Sequence, residues 1–309
     1  MFNKVSNKTL IIILISLVVA AAIYIIIDSN RGERTFKAEL VNIDTAKVTA
    51  ISIYPRATNH KEIRLYKEGN KNWKVRLNNN QTANVPENKI KSLLGMLVQV
   101  KPLRLAAQDK SKWAEFKVDT AGTRVKVFEG NNITLDLIIG KFSFQQPRQM
   151  NNFVRLTDED EVFETEGFLD MSFNQKPDYF RNNTIVEDNT ANWKKLTFTY
   201  PEDSFELVKN DNAWTINGEK TDSATTANYL RTLSHLSGTS FIDNPGILQK
   251  AEYTLTIESS ALGAIVVTAY GDTTNTILTS SENEGTYFNG KPNGLMQKIF
   301  VSAAHLQKK

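Results

Sequence analysis

Three histidines, a run of four carboxylates and two glycine–lysine steps are where chemistry would first be sought in this 309-residue chain. His60, His235 and His305 lie far apart, with neither His-x-His nor His-x-x-x-His spacing, so a structural zinc site has little to build on. They read as surface or edge positions. Asp158, Glu159, Asp160 and Glu161 invite a calcium hypothesis, but a calcium loop alternates its oxygen ligands around a turning glycine. Here the four sit consecutively between Leu156 and Val162, as the solvated tip of a hairpin. Gly140-Lys141-Phe142 lacks the hydroxyl residue and the upstream glycine of a phosphate loop, and Gly218-Glu219-Lys220-Thr221 has the wrong order. No Gly-x-Ser-x-Gly elbow or Ser-x-x-Lys pair occurs. With no cysteine, thiolate chemistry, disulfides and Cys-ligated metals are excluded. The expectation is therefore a chain without catalytic, cofactor-binding or metal-binding residues, and not an enzyme.

The tryptophans offer one more candidate, a sugar-binding platform. Trp73 and Trp214 stand at matching places in two similar passages, however, which favours a shared role in the core. The first passage runs AISIY (50–54), EIRLY (62–66), a turn at Gly69 and Asn70, and WKVRL (73–77). The second runs LTFTY (196–200), FELV (205–208), a turn at 210–212, and WTI (214–216). Apolar and polar residues alternate with period two, the pattern of an antiparallel meander with one buried face. Pro55 and Pro201 end the opening strands.

A helix follows each passage. From Pro86 and Glu87, Ile90, Leu93, Leu94, Leu97 and Val98 form one apolar stripe. From an N-cap at Asp222 or Ser223, the second aligns Ala227, Leu230, Leu233 and Leu236, with Tyr229 at its edge. Pro102 and Gly238 limit the two helices. Strands follow at 124–128, 133–139, 153–156 and 161–163 in the first copy, and at 253–258, 264–269, 276–279 and 285–288 in the second. Terminal helices are expected at 168–173 and 295–306. This spacing predicts an α+β chain of two tandem, duplicated domains, 41–182 and 183–309, each mainly antiparallel sheet with a packed amphipathic helix.

Residues 9–27 read TLIIILISLVVAAAIYIII, nineteen residues without a charge. As a helix at 1.5 Å per residue they would extend roughly 28 Å, close to a bilayer's hydrocarbon thickness. The sequence thus predicts a cytoplasmic leader (1–8), a transmembrane helix acting as an uncleaved signal anchor (9–27) and a linker (28–40). Lys4, Lys8 and the small residues Ala20, Ala21 and Ala22 would also suit a cleavable signal, but hydrophobicity persists through Ile23, Tyr24, Ile25, Ile26 and Ile27. The N-in orientation places the C-terminal domains in the periplasm or another extracytoplasmic space, at the inner membrane. A net charge of +3 gives phosphate-backbone binding no evident source, so no nucleic-acid partner is expected, and no small-molecule ligand is identified.

Ala114, Glu115, Phe116 and Asp119, then Ile139, Gly140 and Lys141, then FVRLTDEDEVFETEGFL (153–169) with Asp178, Tyr179 and Arg181 beyond, resemble the bacterial domain-of-unknown-function family DUF4340. The second copy departs from the pattern, with Gly271-Asp272 where Gly140-Lys141 stands. The resemblance implies a membrane-anchored, non-enzymatic accessory subunit of an ABC-type, gliding-motility-like transport system, partnered by the permease and its auxiliary proteins. The alternative is an exported binding protein or hydrolase acting on envelope polysaccharide or peptide through a cleft between the two domains.

Overall fold

Period-two alternation dominates the chain beyond residue 48, and it becomes strands. The computed structural model describes residues 14, 16–19, 21, 39–69, 72–77, 81–145, 149–211, 213–248, 250–271, 276–291 and 294–307. Strands β1 (Val48–Tyr54), β2 (Ile63–Glu68), β3 (Asn72–Arg76) and β4 (Thr82–Val85) make an antiparallel meander. Helix α1 (Glu87–Val98) and strand β5 (Pro102–Ala107) follow, then the single turn α2 (Trp113–Phe116). Next come β6 (Thr123–Glu129), the long β7 (Asn132–Gln145), β8 (Gln149–Leu156), β9 (Val162–Glu166) and the short helix α3 (Leu169–Phe173). The rest of the chain holds β10 (Thr184–Glu187), β11 (Trp193–Thr199), β12 (Ser204–Asn210), β13 (Ala213–Ile216), β14 (Glu219–Lys220) and α4 (Ser223–Leu233). It closes with β15 (His235–Ser237), β16 (Ala251–Ser259), β17 (Gly263–Tyr270), β18 (Ile277–Ser280), β19 (Phe288–Asn289), α5 (Leu295–Ile299) and α6 (Ala303–Gln307).

The chain clusters into two units that do not follow its order. One takes in Leu94–Asn174 with the described residues up to Val48; the other joins Thr49–Leu93 to Gln175–Lys309. In the first, the strands run in the order β6-β7-β8-β9-β5, which leaves β5 at an edge. In the second lie the β4-β3-β2-β1 meander, an eight-stranded sheet β14-β13-β12-β11-β16-β17-β18-β19, and the two-stranded ribbon β10-β15. All of the described pairings within these sheets are antiparallel.

The core of the second unit is built from the inward face of its eight-stranded sheet. Leu196 and Phe198 on β11, Leu255 and Ile257 on β16, and Ile265 and Val267 on β17 are wholly buried in one apolar cluster. A register shift between Trp193 and Lys195 brings Trp193 into the same cluster although it stands three residues from Leu196. Helix α4 starts at Asp222, whose carboxylate accepts the Thr225 N–H at 2.7 Å. It buries Thr226, Tyr229, Leu230 and Leu233. Ala227, expected in the stripe, is exposed. Two polar residues can take buried places because both are satisfied: the Thr226 hydroxyl donates to Thr221 Oγ1 at 2.8 Å and Tyr229 to the Ile299 carbonyl at 2.7 Å.

The α+β expectation with an N-terminal transmembrane helix needs correction. The described structure is mostly antiparallel strand in a few large sheets, with few helices: two of 12 and 11 residues and four of five or fewer. Among the described residues no helix is long and apolar enough to cross a membrane. At 1.5 Å per residue even α1 spans only about 18 Å, well short of the roughly 30 Å hydrocarbon core. Of the expected span 9–27, only Leu14, Ser16, Leu17, Val18, Val19 and Ala21 are described, and these are helical; the remainder lies outside the described residues. Local corrections point the same way. Leu236, expected to continue the second helix, lies in β15 opposite Val186, and the single helix expected at 295–306 is broken into α5 and α6.

Candidate functional site

Of the residues that carry the family resemblance, those from Ala114 to Leu169 lie in the Leu94–Asn174 unit, and their contacts are structural; Asp178, Tyr179 and Arg181 fall in the other unit. Asp109 opens the step: its carboxylate accepts the Ser111 N–H at 2.9 Å and starts the turn Lys110–Lys112 that leads into α2. The Ser111 hydrogen bonds, the hydroxyl's first, hold the Asp109 carboxyl below its usual pKa. Lys117 closes α2 in the left-handed region at φ 55°, and Val118 N–H returns to the Trp113 carbonyl at 3.0 Å.

Gly140, the middle residue of the Ile-Gly-Lys sequence in β7, is where this step is seated. A Cβ there would run into the Phe116 carbonyl and the Val118 side chain, so only glycine lets the step come so close. Lys141 then lays its ammonium 4.9 Å from the Phe116 ring centroid and 5.4 Å from that of Phe153, while the two rings pack at 4.5 Å. Sequence reasoning gave no role to Arg155, which organises the other side. Its guanidinium lies 3.7 Å from the Trp113 ring centroid and donates to the carbonyls of Val118, Leu156, Thr157 and Glu159 at 3.0–3.1 Å. Burial pulls the pKa of this guanidinium below its usual value. The Trp113 indole donates to the Asp160 carbonyl at 2.9 Å.

Beside the step lies an open cleft of about 740 Å³, lined by Leu105 and Ala106 of β5, Phe116, Phe163 and the charged Asp109, Lys112, Glu115 and Glu161. Lys112 and Glu115 pair with each other at 3.1 Å. Behind it on β9, the buried Glu164 carboxylate is held by Arg104 at 2.5 Å and by the Asn151 amide at 2.9 Å. Asp136 sits in a third network. Burial raises its pKa, but the hydrogen bonds from Arg124 and Thr157, aided by the Arg124 and Lys126 charges, bring it below the usual carboxylate value. Glu164 is thus positioned by a cation and an amide, and Asp136 by Arg124 together with the Thr157 hydroxyl, which donates to it at 2.8 Å.

The sequence's other candidates scatter. His60 occupies the turn after β1 with φ 59°, His235 lies on β15 and His305 on α6; all are exposed. Among the described residues no group of three or more His, Cys, Asp or Glu side chains could hold a metal ion. The acidic run does form the β8–β9 hairpin tip, where Asp160 reaches Lys110 at 3.6 Å and Glu161 turns to the cleft. Asn217 and Gly218 both have positive φ in the two-residue connection of β13 to β14, so that glycine serves a tight hairpin turn.

A second surface of this unit carries apolar side chains into solvent. Phe142 and Phe144 project from β7, 38% and 53% exposed, with Phe144 opposite Met150. Gly167 N–H bonds the Met150 carbonyl at 2.9 Å, and Asn152 ties the same corner down by donating to the Gly167 carbonyl and accepting Asp170 N–H. This places Phe168 and Met171, 53% and 57% exposed, at the same corner of the sheet. The sequence signal for this surface was the Phe-x-Phe alternation continuing past Gly140, beyond where the strand was expected to stop.

Residues 73–256 match the family described as a domain of unknown function, DUF4340. The chain belongs to this family. The DUF4340 match begins at Trp73 in β3 and ends in β16, so it takes in the Trp113 step, Gly140 and Arg155. No curated protein and no solved structure matches the chain.

Proposed function

We propose that this chain is a non-enzymatic interaction subunit of an ABC-type transport system, working on the non-cytoplasmic side, and that the corner formed by Phe142, Phe144, Phe168 and Met171 is its docking face. The observation that carries the reading is this group of four large apolar side chains, each more than a third exposed, on one corner of a sheet. Aromatic residues and methionine are the types enriched in the desolvated centre of protein interfaces. DUF4340 membership supports the transport context through the resemblance set out above. Support for a non-enzymatic role comes from the cleft, where Lys112 is taken up in an ion pair with Glu115.

A photo-crosslinking phenylalanine analogue placed at position 144 should capture the permease in cells, and one at the exposed Leu262 of the other unit should not. The Phe144→Asp, Met171→Asp double variant should lose the permease on purification while keeping the unfolding midpoint of the parent. Capture of the permease equally from both positions, or of none from position 144, would overturn the reading.

A further inference from the structure

The paired hairpins β2–β3 and β12–β13 share a register but not an environment. Trp73 stands opposite Lys67, and Trp214 opposite Lys209. Trp73 is only 6% exposed, in keeping with the core role its position predicts. Trp214 is half-buried and forms a wall of a cavity of about 550 Å³ between β13, β14 and the start of α4. The Lys209 ammonium stands 6.0 Å from the Trp214 ring centroid, and Lys220 lines the same space. Thr190, Thr221, Ser223 and Thr226 add hydroxyls, and no carboxylate is among the described residues of the lining.

The hydroxyl network holds the wall in place. Thr221 donates through both its N–H and its hydroxyl to the Trp214 carbonyl, at 3.1 and 3.2 Å, and accepts from the buried Thr226. That fixes the strand bearing the indole against the helix, with Trp214 lining the cavity. An apolar plate, two cations and several short hydroxyls make a recognisable combination. A pyranose offers an apolar C–H face for the indole and hydroxyls for the threonines, while the lysines require negative charge on the ligand.

We infer that this cavity binds an anionic pyranose, either a hexuronate or a hexose phosphate, stacked on Trp214 with its charge between Lys209 and Lys220. The first repeat has no such site, because its equivalent tryptophan is taken up by the core.

The test uses the full chain labelled with 5-fluorotryptophan, whose four indoles give four fluorine resonances; Trp214→Phe identifies the relevant one. D-glucuronate and D-glucose 6-phosphate are titrated in parallel, with D-glucose and inorganic phosphate as controls. The Trp214 resonance should move saturably with at least one of the two anionic sugars, and the stronger arm tells carboxylate from phosphate recognition. In the Lys209→Met, Lys220→Met variant the apparent affinity should fall about tenfold or more, consistent with losing charge-assisted contacts. An unmoved Trp193 resonance certifies that this variant is folded. The inference is overturned if neither anionic sugar moves the Trp214 resonance or if D-glucose moves it equally. It is likewise overturned if inorganic phosphate alone matches D-glucose 6-phosphate, or if the double variant binds as the parent does.

Discussion

Each unit of this protein buries an arginine against an aromatic ring, and the two are neutralised differently. Arg155, 4% exposed, stacks on Trp113 and spends its donors on four backbone carbonyls of its own turn and of α2's exit. Arg181, 5% exposed, stacks on Phe241 at 3.9 Å and pairs with two carboxylates, Asp243 at 2.7 Å and Asp178 at 3.3 Å. Carbonyl groups cannot leave when the cation is removed, whereas those carboxylates are 41% and 57% exposed and can return to water. The first arrangement is a rigid strut; the second is a surface clamp with a buried root.

That contrast predicts an order of effects. Arg155→Met should cost the most, about 3 kcal/mol, because the buried Val118 carbonyl and the partly buried carbonyls of Leu156, Thr157 and Glu159 all lose the guanidinium's donors at once. Hydrogen exchange in peptides covering residues 105–120 should rise sharply in this variant, and unchanged protection there would mean the guanidinium does not hold the step. Arg181→Met should cost less, about 1 kcal/mol, since Asp178 and Asp243 rehydrate and the methionine keeps the contact with Phe241. Asp243→Asn should be smallest, at most a few tenths of a kcal/mol. Salt sharpens the comparison. In urea unfolding at 1 M rather than 0.1 M sodium chloride, the penalty for Arg181→Met should shrink because its partners are screened, and that for Arg155→Met should not. Equal salt responses would erase the distinction.

Hairpins were legible from sequence because their partners are neighbours: alternation, a turn residue and a second alternation specify β2–β3 and β12–β13 almost completely. The stripe of α1 was legible too, with Ile90, Leu93, Leu94 and Leu97 buried, although Val98 at its end is 42% exposed. Strand β5 was not, because its burial does not alternate and its pairing with β9 is interrupted by two register shifts. Its first residue, Pro102, reads locally as a helix stop. The β10–β15 ribbon escaped for a different reason: Val186 and Leu236 are fifty residues apart, and Leu236 continues an apparent helical stripe. The Trp113 step was visible as a family pattern, but its meaning depends on Gly140 and Arg155, which local periodicity does not connect to it. The cavity beside Trp214 was hidden by the likeness of the two sequence passages, since matching positions suggested matching burial.

The boundaries of the DUF4340 match cut through two hairpins, and this has a practical consequence for anyone dissecting the protein. A fragment confined to residues 73–256 keeps β3 without β2, its partner through Leu65 and Val75, and keeps most of β16 without β17. Both breaks leave a row of unsatisfied main-chain donors and acceptors beside side chains meant for a core, the arrangement that templates edge-to-edge aggregation. Poor behaviour of such a fragment would therefore report on where it was cut and not on whether the family's fold is intrinsically stable.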